Sequence, residues 1–316
     1  MFKYPRVRKR YACQLYNPIY VISFTFIIKS MTIYKYLNPE RIDVLQNLNI
    51  RITQPVYLND PYENNLDMTK FEISDEDWKV VSEIECRRNG IDPASVEKLQ
   101  NKEERKALMP ETVLLMRSLL TYTTGVLSLT ETFDNALMWA HYCQNHQGYV
   151  IGFDSNHEFF SNSGKRYSIN NLSPVRYSKN RPVFKISTSM EELFFVKSDH
   201  WSYEREWRLL KNVADADKEL ADREICLFKI PKEAVTSIYI GASCSVELEG
   251  KIIESLNNFG LDVEVRKIVL NPENFALDSI SYDEWLKLQE QITQGGVLQM
   301  LNDFKQLIRT KNDTSA

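Results

Sequence analysis

Two carboxylates one residue apart, flanked by tryptophans and followed by an arginine, make Trp201–Arg208 (W-x-Y-E-R-E-W-R) the stretch of this 316-residue chain best equipped for chemistry. On an extended strand side chains alternate, so Glu204, Glu206 and Arg208 would share one face and Tyr203, Arg205 and Trp207 the other. Such a row of charges is commonly a solvated ladder; the flanking tryptophans argue against a purely solvated one. A carboxylate held by a neighbouring arginine stays ionised and oriented, which suits hydrogen bonding to ribose hydroxyls or stabilising an oxocarbenium-like centre.

Two further segments combine polar groups with large aromatics. In Asn59-Asp60-Pro61-Tyr62-Glu63, Asn and Asp before Pro are ordinary turn chemistry. Glu63 is what such a turn does not need. In Ser128–Tyr142, Thr132 or Asp134 can cap a helix on which Met138, His141, Tyr142 and Asn145 share a face. Ser128 at a strand end could point at His141, or His141 could be a core histidine bonded to a backbone carbonyl; spacing does not choose between them.

Several familiar sites are missing. No G-x-G-x-x-G follows a strand and no G-x-x-x-x-G-K-[ST] or G-x-S-x-G occurs, which argues against the usual dinucleotide, P-loop and α/β-hydrolase sites. His141-x-Cys143-x-x-His146 is the densest cluster of ligand types, but on a helix its first two members point to different faces, so no metal is expected. The net charge is −4, yet residues 1–30 hold six basic and no acidic residues, leaving 33 basic against 43 acidic residues in the rest. That acidic body offers no stripe for duplex DNA.

These segments need a scaffold. Ile33–Tyr36, Ile50–Val56, Val126–Thr130, Tyr149–Phe153, Val175–Tyr177, Glu206–Leu210, Ile225–Ile230, Ser237–Ile240 and Val263–Val269 read as strands. Glu40–Leu48, Asp134–Asn145, Glu191–Lys197, Val246–Asn258 and Tyr282–Thr310 read as helices. The expectation is an α+β domain over residues 31–270 with a mixed, mainly antiparallel sheet, a helical insertion at about 74–122 and a helical appendage at 271–316. Ahead of it, the apolar run Ile19–Ile28 is too short for a dependable membrane span, and Met31 is read as the working start. Cysteines scattered singly point to a reducing, cytoplasmic setting, with no membrane contact unless the leader is retained.

In this order, Tyr34-Lys35-Tyr36, Asn59–Glu63, Ser128–Asp154 with Gly148 and Gly152, and Trp201–Arg208 resemble the bacterial family known as domain of unknown function 2971. More distantly, Glu204-Arg205-Glu206 resembles the Glu-x-Glu pair of ADP-ribosyltransferase-type enzymes, which split the nicotinamide bond of NAD. Ser187-Thr188-Ser189 resembles the serine motif of some members, at a shorter interval from the acidic pair. The resemblance implies that Glu206 binds the ribose hydroxyl and is the catalytic carboxylate, that Glu204 orients a protein or nucleic-acid acceptor, and that His141 assists. It implies that NAD is the substrate and that Tyr34, Tyr36, Ser128, Trp139 and Tyr142 line its pocket. Asn59, Asp60 and Glu63 would shape the mouth, and Arg208 would fix Glu206 or contact phosphate. Bacterial conflict or phage defence is the implied setting. The rival expectation is a non-catalytic binding or regulatory module in which Trp139 anchors a core helix and Arg208 pairs with Asp60 or Glu63. Convergence of Glu206, His141, Tyr34 and Glu63 on one open cleft would favour the enzyme; internal pairing of every polar group would favour the module.

Overall fold

A computed structural model describes residues 31–63, 121–161, 172–183, 190–221 and 224–293, with isolated positions at 75, 79, 86, 118, 120 and 303. The leader at 1–30, Ser187–Ser189 and most of the insertion expected at 74–122 lie outside the described residues, although residues 75, 79, 86, 118 and 120–123 are helical.

In chain order the described strands are β1 (Thr32–Leu37), β2 (Asn49–Ile52), β3 (Thr124–Thr130), β4 (Tyr149–Asp154), β5 (Ser173–Pro174), β6 (Arg176–Ser178) and β7 (Val196–Ser198). They continue with β8 (Glu206–Asn212), β9 (Lys218–Leu220), β10 (Ile225–Lys229), β11 (Val235–Ile240), β12 (Glu264–Leu270) and β13 (Leu277–Ser281). The helices that matter below are α1 (Asp43–Asn47), α2 (Ala136–Tyr142), α3 (Met190–Phe194), α4 (Val246–Phe259) and α5 (Tyr282–Thr293). The fold is α+β. Eight strands form a mixed, mostly antiparallel sheet in the order β13-β12-β11-β4-β1-β3-β8-β5; β2-β10-β9 and β6-β7 form smaller sheets. Only β11 and β12 run parallel in the large sheet, joined through α4. Ser245 caps the start of α4 by accepting from the Leu248 N–H, and Gly260, at φ 58°, ends it in the left-handed region.

Alternation along the strands divides the interior. Ile33 and Leu37 of β1, Leu127 and Leu129 of β3 and Leu209 of β8 face one core with α1, α4 and the small sheet β2-β10-β9. Tyr36, Val150 and Tyr239 face another against Met138 and Trp139 of α2. The expected boundary at residue 270 gives way to a hairpin: β13 pairs with β12 from Arg266↔Ser281 to Leu270↔Leu277, so the sheet continues into the segment expected to be helical. The stretch 212–221 contains β9, which pairs with β10.

One irregularity in the large sheet sets up the site. β1 runs in register with β4 over six pairs, whereas with β3 only Tyr34↔Thr130 pair. Beyond that pair β1 and β3 part, opening a gap in the middle of the sheet.

Candidate functional site

The gap holds a cavity of about 140 Å³ whose lining includes Tyr34, Lys35, Tyr36, Asn59, Glu63, Ser128, Met138, Tyr142, Lys197, Glu204 and Glu206. Each wall has a local cause. In the turn after β2, Asp60 accepts from the Tyr62 N–H at 2.9 Å, and the Asp60 carbonyl accepts from the Glu63 N–H at 3.0 Å, so the turn delivers Glu63 inward. Asn135 caps α2 by accepting from the Leu137 and Met138 N–H groups, and its amide donates to the Tyr203 carbonyl at 2.9 Å. That helix therefore carries Tyr142 to the carboxylate segment.

The carboxylate segment is not the continuous strand expected from alternation. Asp199–Glu204 forms a 3-10 turn, Arg205 sits in the left-handed region (φ 43°, ψ 51°), and β8 begins at Glu206. The left-handed residue, uncommon for a side chain other than Gly, Asn or Asp, turns the backbone so that Glu204 and Glu206 still converge. Thr130 pins the kink by donating its hydroxyl to the Glu204 carbonyl. Tyr177 accepts from the Glu206 N–H at 2.8 Å.

Behind the cavity lies a charge network. Lys197 of β7 donates to Glu204 at 2.7 Å and to Glu206 at 3.1 Å, and pairs with Glu63 at 3.1 Å. Arg208 grips Glu206 with two nitrogens, at 2.7 and 3.0 Å, reaches Glu63 at 2.7 Å and donates to the Phe194 carbonyl at 2.7 Å. Three carboxylates thus meet two cations, all of them buried. Burial by itself would raise the Glu206 carboxyl; Arg208 and Lys197 outweigh it and hold it down to about 2. Burial likewise opposes the Lys197 ammonium, and Glu206, Glu63 and Glu204 together push its proton affinity above the ordinary lysine value. Isolated charges at this depth would be prohibitive, so each group depends on the others being present.

The expected site residues divide cleanly. Tyr34, Tyr36, Asn59, Glu63, Ser128, Tyr142, Glu204 and Glu206 line the one cavity. Glu204 presents Oε1 to the Tyr142 hydroxyl and Oε2 to Lys197. Both oxygens of Glu206 accept bonds from Arg208 and Lys197, so it lines the cavity as an oriented carboxylate held by the neighbouring arginine. Arg208 is 1 % exposed and stands behind the cavity, fixing Glu206 rather than meeting a phosphate. Of its two expected partners, Asp60 and Glu63, it meets Glu63.

Three expected residues stand apart from the cavity. His141 lies exposed on the outer side of α2 and faces neither Ser128 nor the cavity; Tyr142, its neighbour on the helix, takes the inward position. Trp139 is fully buried behind Tyr36, with ring centroids 5.4 Å apart, and spends its N–H on the Phe133 carbonyl. Asp60 borders a second cavity of about 310 Å³, lined also by Tyr62, Arg181 and His200, which shares Glu63 and Lys197 as its wall with the first. His141, Cys143 and His146 do not converge: Cys143 donates to the Tyr149 carbonyl, and His146 stacks on Trp139.

Sequence reasoning missed Lys197, which was assigned to the end of a helix that stops at Phe194. A lone lysine directly after Phe194-Phe195-Val196 was the available signal, since a charge so embedded in apolar residues needs a partner. β alternation alone puts Lys35, between Tyr34 and Tyr36, on the other face from them. It reaches the cavity through the gap, and its ammonium donates to the Ser128 carbonyl at 2.9 Å.

Residues 138–209 match the family model described as Protein of unknown function (DUF2971). The DUF2971 match runs from α2 into β8 and so takes in Tyr142, Lys197, Glu204, Glu206 and Arg208, while β1, the Glu63 turn and Ser128 complete the cavity from outside it. No curated protein and no solved structure matches the chain. Among the described residues, no helix is long and apolar enough to cross a membrane.

Proposed function

We propose that the cavity between β1 and β3 binds a small hydroxyl-bearing or cationic group, and that the chain uses it to cleave NAD or a related nucleotide at the nicotinamide bond. The observation that carries this reading is the pairing of aromatic walls, Tyr34, Tyr36 and Tyr142, with the carboxylates of Glu63, Glu204 and Glu206 on the same cavity. Aromatic faces suit a flat cationic ring, and a fixed carboxylate suits positive charge developing at an anomeric carbon. Glu204 is the carboxylate placed for that work: it lines the cavity, and the Tyr142 hydroxyl and Lys197 fix its orientation. A volume of about 140 Å³ is below the roughly 300–1,000 Å³ of drug-sized ligand pockets, so one end of a dinucleotide would enter. The neighbouring 310 Å³ cavity, with Lys179, Arg181 and His200 among its lining, has the charge for the remaining phosphates. The described cysteines are all unpaired, in keeping with a cytoplasmic setting.

One observation favours the non-catalytic reading: the Glu63-Arg208-Glu206-Lys197 network is internally paired and would hold the fold together with no ligand at all. The two readings separate on incubation with NAD while free nicotinamide is followed, comparing wild type with Glu204→Gln. Release abolished by the substitution, in a protein of unchanged melting temperature, supports cleavage. NAD binding by calorimetry without release supports the binding module, and neither binding nor release rejects the nucleotide reading.

A further inference from the structure

Lys35 is the one charged group at the cavity that the mechanism above leaves without a task. Its ammonium reaches through the opening between β1 and β3 and makes a single described hydrogen bond, to the Ser128 carbonyl. Among the described residues no carboxylate lies within ion-pair distance of it, in contrast to Lys197 with three. The charged groups acting on it are Glu206 of β8 and Glu204 of the preceding turn, which favour its ammonium form, and Lys197 of β7 and Arg41 beside α1, which oppose it. Burial dominates and pulls the amine down to about 8, so near neutral pH a useful share of it is the uncharged nucleophile.

We propose that Lys35 is a reactive amine that captures a small aldehyde, including the open-chain form of an aldose, as an imine inside this cavity. The Nζ lone pair attacks the carbonyl carbon, forming the C–N bond as a proton passes from nitrogen to oxygen. Loss of that oxygen as water then leaves the C=N bond. Nothing is oxidised or reduced, and water is the only leaving group. The surroundings fit each stage. A volume of about 140 Å³ exceeds several times the roughly 30 Å³ share of a water molecule, leaving room for a short-chain aldehyde. The Ser128 carbonyl orients the amine, and the Ser128 and Tyr142 hydroxyls and the Asn59 amide line the same space for the substrate's oxygens. Once formed, the protonated imine keeps the positive charge of the Lys35 ammonium, which the Glu206 and Glu204 carboxylates favour.

The test does not depend on NAD. The full chain is incubated with glyceraldehyde and sodium cyanoborohydride, which reduces an imine to a stable secondary amine, and modified lysines are mapped by mass spectrometry after short exposure at pH 6, 7, 8 and 9. The expected result is a single early adduct at Lys35, formed at least about tenfold faster than at any exposed lysine at neutral pH, with a rate that rises through pH 8. Lys35→Arg, which keeps the charge and the reach to Ser128, is expected to lose the early adduct while other lysines react as before. Modification of Lys35 no faster than the surface lysines, or an early adduct at another lysine, overturns the proposal. Nicotinamide release without a Lys35 adduct would reject this inference alone, and an adduct without nicotinamide release would reject only the nucleotide reading.

Discussion

Lys197 and Lys267 are each buried and paired with glutamate, with the ammonium 5.0 Å above a tryptophan ring, Trp201 in one case and Trp285 in the other. Around Lys267 on β12 the arrangement is closed and balanced: Glu249 of α4 pairs with it and accepts a second bond from the Tyr282 hydroxyl at 3.2 Å. One cation meets one anion, and the pair staples α4 and α5 to the edge of the sheet. Around Lys197 the same elements form a larger and open arrangement, three carboxylates sharing Lys197 and Arg208 beside a gap between strands into which a third cation, Lys35, reaches. A purely structural pin has no use for an opening at its side. The comparison separates charge that holds elements together from charge placed to meet something else.

Five measurements break or sharpen that distinction. The largest effect is expected from Arg208→Met, which strips Glu206 and Glu63 of their principal cation. Leaving buried charge uncompensated costs on the order of 3–5 kcal/mol, so denaturant titration should show a protein at the margin of folding. Lys267→Met should cost nearly as much alone, but pairing it with Glu249→Leu should bring the loss back to within about 1 kcal/mol, because the closed pair is removed whole. No such recovery is expected for Arg208→Met combined with Glu206→Leu, since Glu63 stays behind. If both double variants recover equally, the two regions are equivalent and the distinction fails.

Acid titration of stability comes next. The Glu206 carboxyl is depressed to about 2, so its contribution is fully present above the pH where an unfolded glutamate titrates, near 4.3, and is lost as pH falls from there through 2. Glu206→Gln should flatten the wild-type slope in that window, in thermal melts at pH 2–5. Tyr142→Phe is expected to cost about 1 kcal/mol through the lost bond to Glu204, with a proportionately larger loss of ligand affinity. His141→Ala, on an exposed position, should stay within about 0.5 kcal/mol of wild type and leave any activity intact.

The fold was largely legible, because hydrophobic alternation and caps are local. Strand β4, expected at Tyr149–Phe153, runs Tyr149–Asp154, and helix α4, expected at Val246–Asn258, runs Val246–Phe259. The site was legible in part. Tyr142, Glu63 and Glu204 were found from residue type and spacing, whereas His141 was named beside Tyr142 because a helical wheel does not say which side of the shared face meets the sheet. The helix itself ends at Tyr142, three residues short, with Gln144, Asn145 and His146 all at positive φ before Gly148. Nothing larger than Gly fits at position 148, where a Cβ would stand 2.0 Å from the Leu37 carbonyl oxygen. The gap between β1 and β3 left no trace in the sequence, since it arises from pairing between segments nearly a hundred residues apart. For the same reason nothing in the sequence brought Lys35 to the cavity.

Arg205 gives the Glu-x-Glu pattern an unexpected meaning. Its side chain takes no part in the charge network; what matters is that its backbone tolerates φ 43°. The middle letter of the motif is therefore a steric specification. Asn or Gly there should preserve the turn, while a β-branched residue, which resists positive φ, would strain the turn that sets Glu204 against Tyr142 and Lys197. A chain that kept both glutamates but placed valine between them would retain the pattern on paper and lose the site it denotes.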